Sequence, residues 1–169
     1  NLGVDASIVL TVGSDCAIGK MTVSLELDRA ARERGIRSEF VPTGQTGIAI
    51  AGWGLSVDAV IADFVAGAGE LLCVEGQGRL SHPAYSGVTL GLMHGSAPHA
   101  YVLCHKPGTT EIDGYPGHPL LSLPALVALH EQVSLPRRPA RVACIALNPA
   151  DLSAAEAAEA IAAAQAETG

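Results

Sequence analysis

Basic residues are scarce in this chain, with 10 Lys and Arg against 17 Asp and Glu and a formal net charge of −7 at pH 7. No basic cluster exists beyond Arg137-Arg138, so a nucleic-acid surface is excluded. Long apolar runs are missing as well. Gly, Pro, His or a charged residue interrupts every candidate before the about 18 residues that a membrane span requires. The start of the chain lacks the pattern of a signal peptide. The four cysteines, Cys16, Cys73, Cys104 and Cys144, are scattered, and His94, His99, His105 and His118 lack metal-ligand spacing. Neither a disulfide framework nor a metal centre is therefore expected. Buried, reduced thiols in a cytoplasmic protein are the expectation instead.

What the chain does have is apolar content. Hydrophobic residues make up 49% of its 169 positions, enough for one compact domain with a full core. Strand-like runs recur at residues 7–12, 37–41, 70–75, 99–105 and 141–147. Helical patterns fall between most of them, at 21–34, 56–68, 123–133 and in an Ala-rich tail at 153–167. Strands alternating with helices predict an α/β fold, a three-layer sandwich with a mostly parallel central sheet. The runs Tyr101-Val-Leu-Cys104 and Val142-Ala-Cys-Ile-Ala-Leu147 are continuously apolar, as central strands are. No internal repeat interrupts this order. The helix at 56–68 leaves little chain before the next strand near Glu70. Either it docks at the sheet edge, or residues are absent from the sequence around 67–71.

Between the first strand and the first helix stands Gly13-Ser-Asp-Cys-Ala-Ile-Gly-Lys-Met-Thr22. A strand, a small-residue loop ending in Gly-Lys, and a helix are the context of a phosphate-binding loop. Converging backbone N–H groups, the helix N-terminus and the Lys20 ammonium together favour an anion. Gly13, Ser14, Asp15, Cys16, Ala17, Ile18, Gly19, Lys20, Met21 and Thr22 form the candidate cofactor-binding set. The position after Lys20, usually a Ser or Thr that ligates Mg²⁺, is Met21. Thr22 follows about 100° further round the helix. Binding of a phosphorylated ligand is favoured over hydrolysis of a nucleoside triphosphate.

Ligands of an open parallel sheet lie beyond the carboxyl ends of its strands. Polar and glycine-rich residues gather at that end of every strand here. Glu75, before Gly76 and Gly78, is a candidate catalytic base, with His82 the other; Tyr85 and Lys20 complete the candidate catalytic set. Gln45, Thr46 and Gly47 are candidate substrate contacts on a backbone that can approach a ligand closely. Asp15 either touches a ligand or bonds neighbouring amides. Trp53 is expected in the core, with a stacking role as the alternative. Asn148 either reads a purine edge or ends the last strand.

Gly13-Ser-Asp-Cys-Ala-Ile-Gly-Lys20 and Val74-Glu-Gly-Gln-Gly78 resemble the dethiobiotin synthetase branch of P-loop proteins. That resemblance implies ATP phosphates in the loop, Glu75 toward Mg²⁺ and Asn148 toward adenine. A fuller likeness rests on residues 13–28, Thr43-Gly-Gln-Thr-Gly-Ile48, Ala51-Gly-Trp-Gly54, Val57-Asp-Ala-Val-Ile-Ala-Asp-Phe64 and residues 74–92 with His82-Pro-Ala-Tyr-Ser86. These resemble the C-terminal P-loop domain of the D-glutamate N-acetyltransferase-like family, formerly of unknown function. Met21 fits that family and departs from dethiobiotin synthetase. The resemblance implies a P-loop NTPase-like fold over residues 1–169 and an N-terminal domain elsewhere in a longer homo-oligomeric protein. It also implies acetyl-CoA as cofactor and a D-amino acid, D-glutamate first, as the small-molecule substrate. The alternatives are an ATP- and Mg-dependent ligase or kinase and a regulatory nucleotide-binding domain.

Overall fold

A computed structural model describes residues 3, 5–54 and 69–169. The helix expected at 56–68 lies outside the described residues. Strands β1 (Ser7–Gly13), β2 (Ser38–Val41), β3 (Leu71–Val74), β4 (Ala100–His105) and β5 (Arg141–Leu147) form one sheet. Its order is β2-β3-β1-β4-β5, and every neighbouring pair runs parallel. The helices are α1 (Lys20–Glu33), α2 (Gln45–Ala51), α3 (Ser86–Ser96), α4 (Leu123–Gln132) and α5 (Ala154–Thr168). All five strands stand where the apolar runs put them, within a residue or so at each end.

Side chains alternate across a strand, so β1 presents different residues to the two helical layers. Ile8, Leu10 and Val12 join Leu72, Val74, Tyr101 and Leu103 in a buried cluster completed by Leu92 and Met93 of α3 and Leu123 and Leu126 of α4. On the opposite face Thr11 meets α1 through a polar pin. The Thr11 hydroxyl bonds Ser24 Oγ at 3.0 Å, and Ser24 donates to the Val74 carbonyl at 3.1 Å. The Gly76 N–H in turn donates to Thr11 Oγ1 at 2.9 Å. With every partner satisfied, this buried chain locks β1, β3 and α1 together directly beneath the loop that joins β1 to α1.

Three expectations need correction. β5 is an edge strand rather than a central one, with Ala143 and Cys144 exposed. Its continuous apolar run reads as burial on both faces, but the sheet stops there. Cys144 is accordingly an exposed thiol; all four thiols are free, Cys73 and Cys104 being buried and Cys16 half-buried. Trp53 is 42% exposed rather than packed in the core, held between Gly52 and Gly54 just beyond α2.

The β3 carboxyl end passes so close to β1 that a Cβ at Gly76 would collide with the Thr11 carbonyl oxygen. That contact is backbone and cannot swing aside. Gly76→Ala should therefore destabilise the domain by about 3 kcal/mol, the upper range of overpacking. Urea unfolding of the variant checks this, and a midpoint within error of the parent would refute the close approach.

Candidate phosphate-loop site

β1 delivers Gly13 to the carboxyl edge of the sheet, and the chain turns back into α1 over residues 14–19. The Ser14 N–H donates to the Cys104 carbonyl at 2.9 Å, extending the β1–β4 pairing into the loop. Ala17 and Gly19 have positive φ, 52° and 109°. The left-handed turn at Ala17 is unusual for a residue with a Cβ and marks a loop held in one shape. The N–H groups of residues 17–22 meet no acceptor among the described residues, and no side chain caps α1. Unsatisfied N–H groups at a helix start form an anion site.

Lys20 sits in this cradle at only 6% exposure. Its Nζ donates to the Asp15 carbonyl at 2.6 Å. Among the described residues, no carboxylate lies within ion-pair distance of it. Burial lowers the Lys20 pKa from its ordinary value, while Cys16, Cys104, Asp15 and Glu75 act in the opposite sense. The Cys16 thiol is pushed up by burial, and Lys20 opposes that. Lys20 opens into a cavity of about 670 Å³ shared with Thr22, Gln45, Thr46, Glu75 and Tyr85. Met21 lines it too and brings no hydroxyl.

Glu75 is buried at the end of β3, where one oxygen, Oε2, accepts the N–H groups of Thr43 and Gly44, each at 3.0 Å. The Thr43 hydroxyl donates to the Glu75 carbonyl at 2.8 Å. The carboxylate thus caps α2 from across the sheet, because Gly44 at the N-cap has no side chain to do so. The glycines framing Gln45 and Thr46 fit this packing. A Cβ at Gly44 would strike the Gln77 side-chain amide and lie 2.9 Å from Glu75 Oε1, and one at Gly47 would strike Oε2. Gln45, Thr46 and Gly47 begin a short helix rather than a loop.

The structure separates the remaining candidates. Asp15 spends Oδ1 on the Cys16 N–H at 2.8 Å and Oδ2 on the Asp113 N–H at 2.9 Å, the amide-bonding option for this residue. Asn148 lies behind the loop: its Nδ2 donates to the Ile18 carbonyl at 3.0 Å and its Oδ1 accepts from the Ala150 N–H at 3.1 Å. Tyr85 lines the cavity and stacks on His82, with ring centroids 4.5 Å apart. His82 Nδ1 accepts the Ala84 and Tyr85 N–H groups at 3.0 and 3.2 Å. An Nδ1 that accepts has no proton, so the neutral ring carries it on Nε2 and presents a donor. In this arrangement His82 offers its Nε2–H as a hydrogen-bond donor. Two residues outside the candidate set, His105 and Arg79, join the loop. His105 Nδ1 pairs with Ser14 Oγ at 2.9 Å, bracing the loop against β4. Arg79 is buried beside the loop, and its charge acts on Asp15 and Cys16.

A family model described as "Domain of unknown function (DUF1611_C) P-loop domain" matches residues 1–169. The chain belongs to this family. A DUF1611 family protein from Anabaena variabilis has a crystal structure that matches 99% of this chain at 42% identity with a TM-score of 0.92; the match covers 52% of that protein. A D-glutamate N-acetyltransferase from Pseudoalteromonas sp. is 50% identical over 116 residues, 63% of this chain and 35% of the relative. One from Tritonibacter scottomollicae is 48% identical over 127 residues, 69% of this chain and 38% of the relative. The matched segments thus span little more than a third of each of these two relatives. Among the described residues no helix is long and apolar enough to cross a membrane.

Because Lys20 is buried without an ion pair among the described residues, it should weaken the ligand-free protein and strengthen its complex with an anion. Lys20→Met should leave ligand-free stability equal or higher. It should weaken binding of a phosphorylated ligand by about 1.5–3 kcal/mol. The sign with pH follows from the lowered pKa. Between that value and the ordinary 10.5, the unfolded chain binds more protons, so Lys20 makes stability rise with pH. Unfolding at several alkaline pH values should show a shallower rise in Lys20→Met. An identical slope would contradict the buried ammonium.

Proposed function

We propose that this domain serves an N-acetyltransferase that moves an acetyl group from acetyl-CoA to the amino group of a D-amino acid, D-glutamate first. The observation that carries this reading is the cradle itself: six consecutive N–H groups, an uncapped α1 and a buried Lys20, set in a family whose relatives bear that activity in their names. The donor set suits phosphates of a cofactor. It suits the triphosphate–magnesium arrangement less well, because Met21 replaces the hydroxyl ligand and Glu75 Oε2 already holds two amides.

Acetyl-CoA would supply the activated acyl group as a thioester. The chain's own task is then positioning, proton removal and charge stabilisation. Lys20 and the loop N–H groups hold the anionic end of the cofactor. Glu75, facing the same cavity, is our choice of base for the substrate ammonium. His82 Nε2–H is a donor available to developing negative charge. The unmatched length of the relatives supports a second domain working beside this one, and the free thiols suit a reducing cytoplasm.

Full-length protein given acetyl-CoA and D-glutamate should release thiol at the same rate with EDTA as with Mg²⁺. Glu75→Gln should keep CoA affinity and lower turnover by roughly 10²–10⁴. ADP formation that requires Mg²⁺ and a small carboxylic acid would instead establish an ATP-dependent ligase or kinase.

A further inference from the structure

The two edges of the sheet are finished differently. At the β2 edge Ser38, Phe40 and Val41 are buried. At the β5 edge no residue from Arg141 to Leu147 is buried, although every one after Arg141 is apolar. A long apolar edge strand is a liability that folded proteins blunt with charge, proline or a bulge. β5 has such devices only at its start. Ala143 is the extra residue of a bulge, since the pairing passes from Tyr101–Val142 to Val102–Cys144. Glu131 of α4 accepts the Val142 N–H at 3.0 Å and pairs with Arg141 at 3.0 Å. From Cys144 to Leu147 the pairing with β4 is regular, and no strand among the described residues lies on the outer side.

The helix above this edge is half covered as well. α5 buries only Ala164, while Ile161 is 50% exposed. A groove of about 630 Å³ separates strand from helix. Cys144, Ile145 and Leu147 of β5 line it, with Val127 of α4 and Ile161 and Thr168 of α5.

Handedness and charge together select what fills the groove. Leu126 of α4 and Ala164 of α5 belong to one cluster with Val142, Ile145 and Leu147, so α4 and α5 lie on the same face of the sheet. The crossover from β4 to β5 through α4 steps outward on that face. Parallel β-α-β connections are right-handed, so a strand reached through α5 on the same face steps outward again, past β5. The relatives have polypeptide to supply it, since the match to this chain covers 52% of the solved one. A second copy of this domain is less suitable. α5 carries Glu156, Glu159 and Glu167 and no basic residue, so two copies joined edge to edge bring like charges together.

We infer that β5 is the docking edge for a sixth parallel strand, an apolar segment of the full-length protein outside residues 1–169. Its backbone pairs with the outer side of residues 144–147, and its side chains on one face fill the groove beneath Ile161. The inference concerns the sheet edge and does not rest on the acetyltransferase reading.

Hydrogen exchange on the full-length protein tests whether the edge is covered. An open edge leaves alternate amides of residues 144–147 free to exchange, because only every second N–H faces β4. A seated strand should slow all of them, the outward ones by roughly 100-fold or more. Photo-cross-linking then identifies the occupant, with p-benzoylphenylalanine in place of the half-exposed Ile161 and a mixture of isotope-labelled and unlabelled protein. The expected cross-link joins position 161 to a segment outside residues 1–169 of the same chain. Free exchange at the outward amides would overturn the inference. So would a cross-link between labelled and unlabelled chains, which would assign the edge to a second copy.

Discussion

An ammonium removed from water without an ion pair is a liability in a folded protein, and among the described residues Lys20 is held in that state. Among the described residues its hydrogen-bond partner is a backbone carbonyl of its own loop, that of Asp15. Burial without a direct ion pair makes the loop a binding site in waiting, since any anion that enters satisfies the lysine and the surrounding N–H groups together. The buried pin of Thr11, Ser24 and the Val74 carbonyl, with Gly76 seated against β1, holds that loop in place. So does the pairing of Ser14 with His105 and β4.

The same economy of backbone contacts shapes the rest of the site. Glu75 reaches from β3 to cap α2; its carboxylate occupies the space a side chain at Gly47 would need, and with the Gln77 amide the space beside Gly44. Asp15 ties the phosphate loop to the 113 region, and Asn148 ties it to the segment after β5. Acidic and amide side chains here organise loops from different strand ends into one surface, which is how a parallel sheet assembles a site from residues distant in sequence.

Much of this was legible beforehand. Short apolar runs gave all five strands; α1 followed from apolar spacing and its Gly35 stop, α4 from its helical pattern, and α5 from the helix propensity of its Ala-rich run. α2 and α3 were not legible. Gln45-Thr-Gly-Ile-Ala-Ile-Ala51 mixes β-branched residues with glycine, and Ser86-Gly-Val-Thr-Leu-Gly-Leu-Met-His-Gly-Ser96 contains three glycines. Neither has the propensity to announce a helix. Tertiary contacts make them, the Glu75 cap for α2 and the burial of Leu92 and Met93 for α3. Lys20, Glu75 and the loop were readable from motif and position. The burial of Arg79 was not, because a lone arginine after a glycine turn reads as solvent-facing. The tautomer of His82 depends on amide contacts that no spacing encodes.

The central claim is that the cradle around Lys20 takes the phosphates of an acyl-CoA and needs no magnesium to do so. Isothermal titration of the full-length protein with CoA in EDTA tests it most directly. The account predicts saturable binding that survives the chelator and exceeds that of ATP with Mg²⁺. Absence of CoA binding beside tight, magnesium-dependent ATP binding would contradict it.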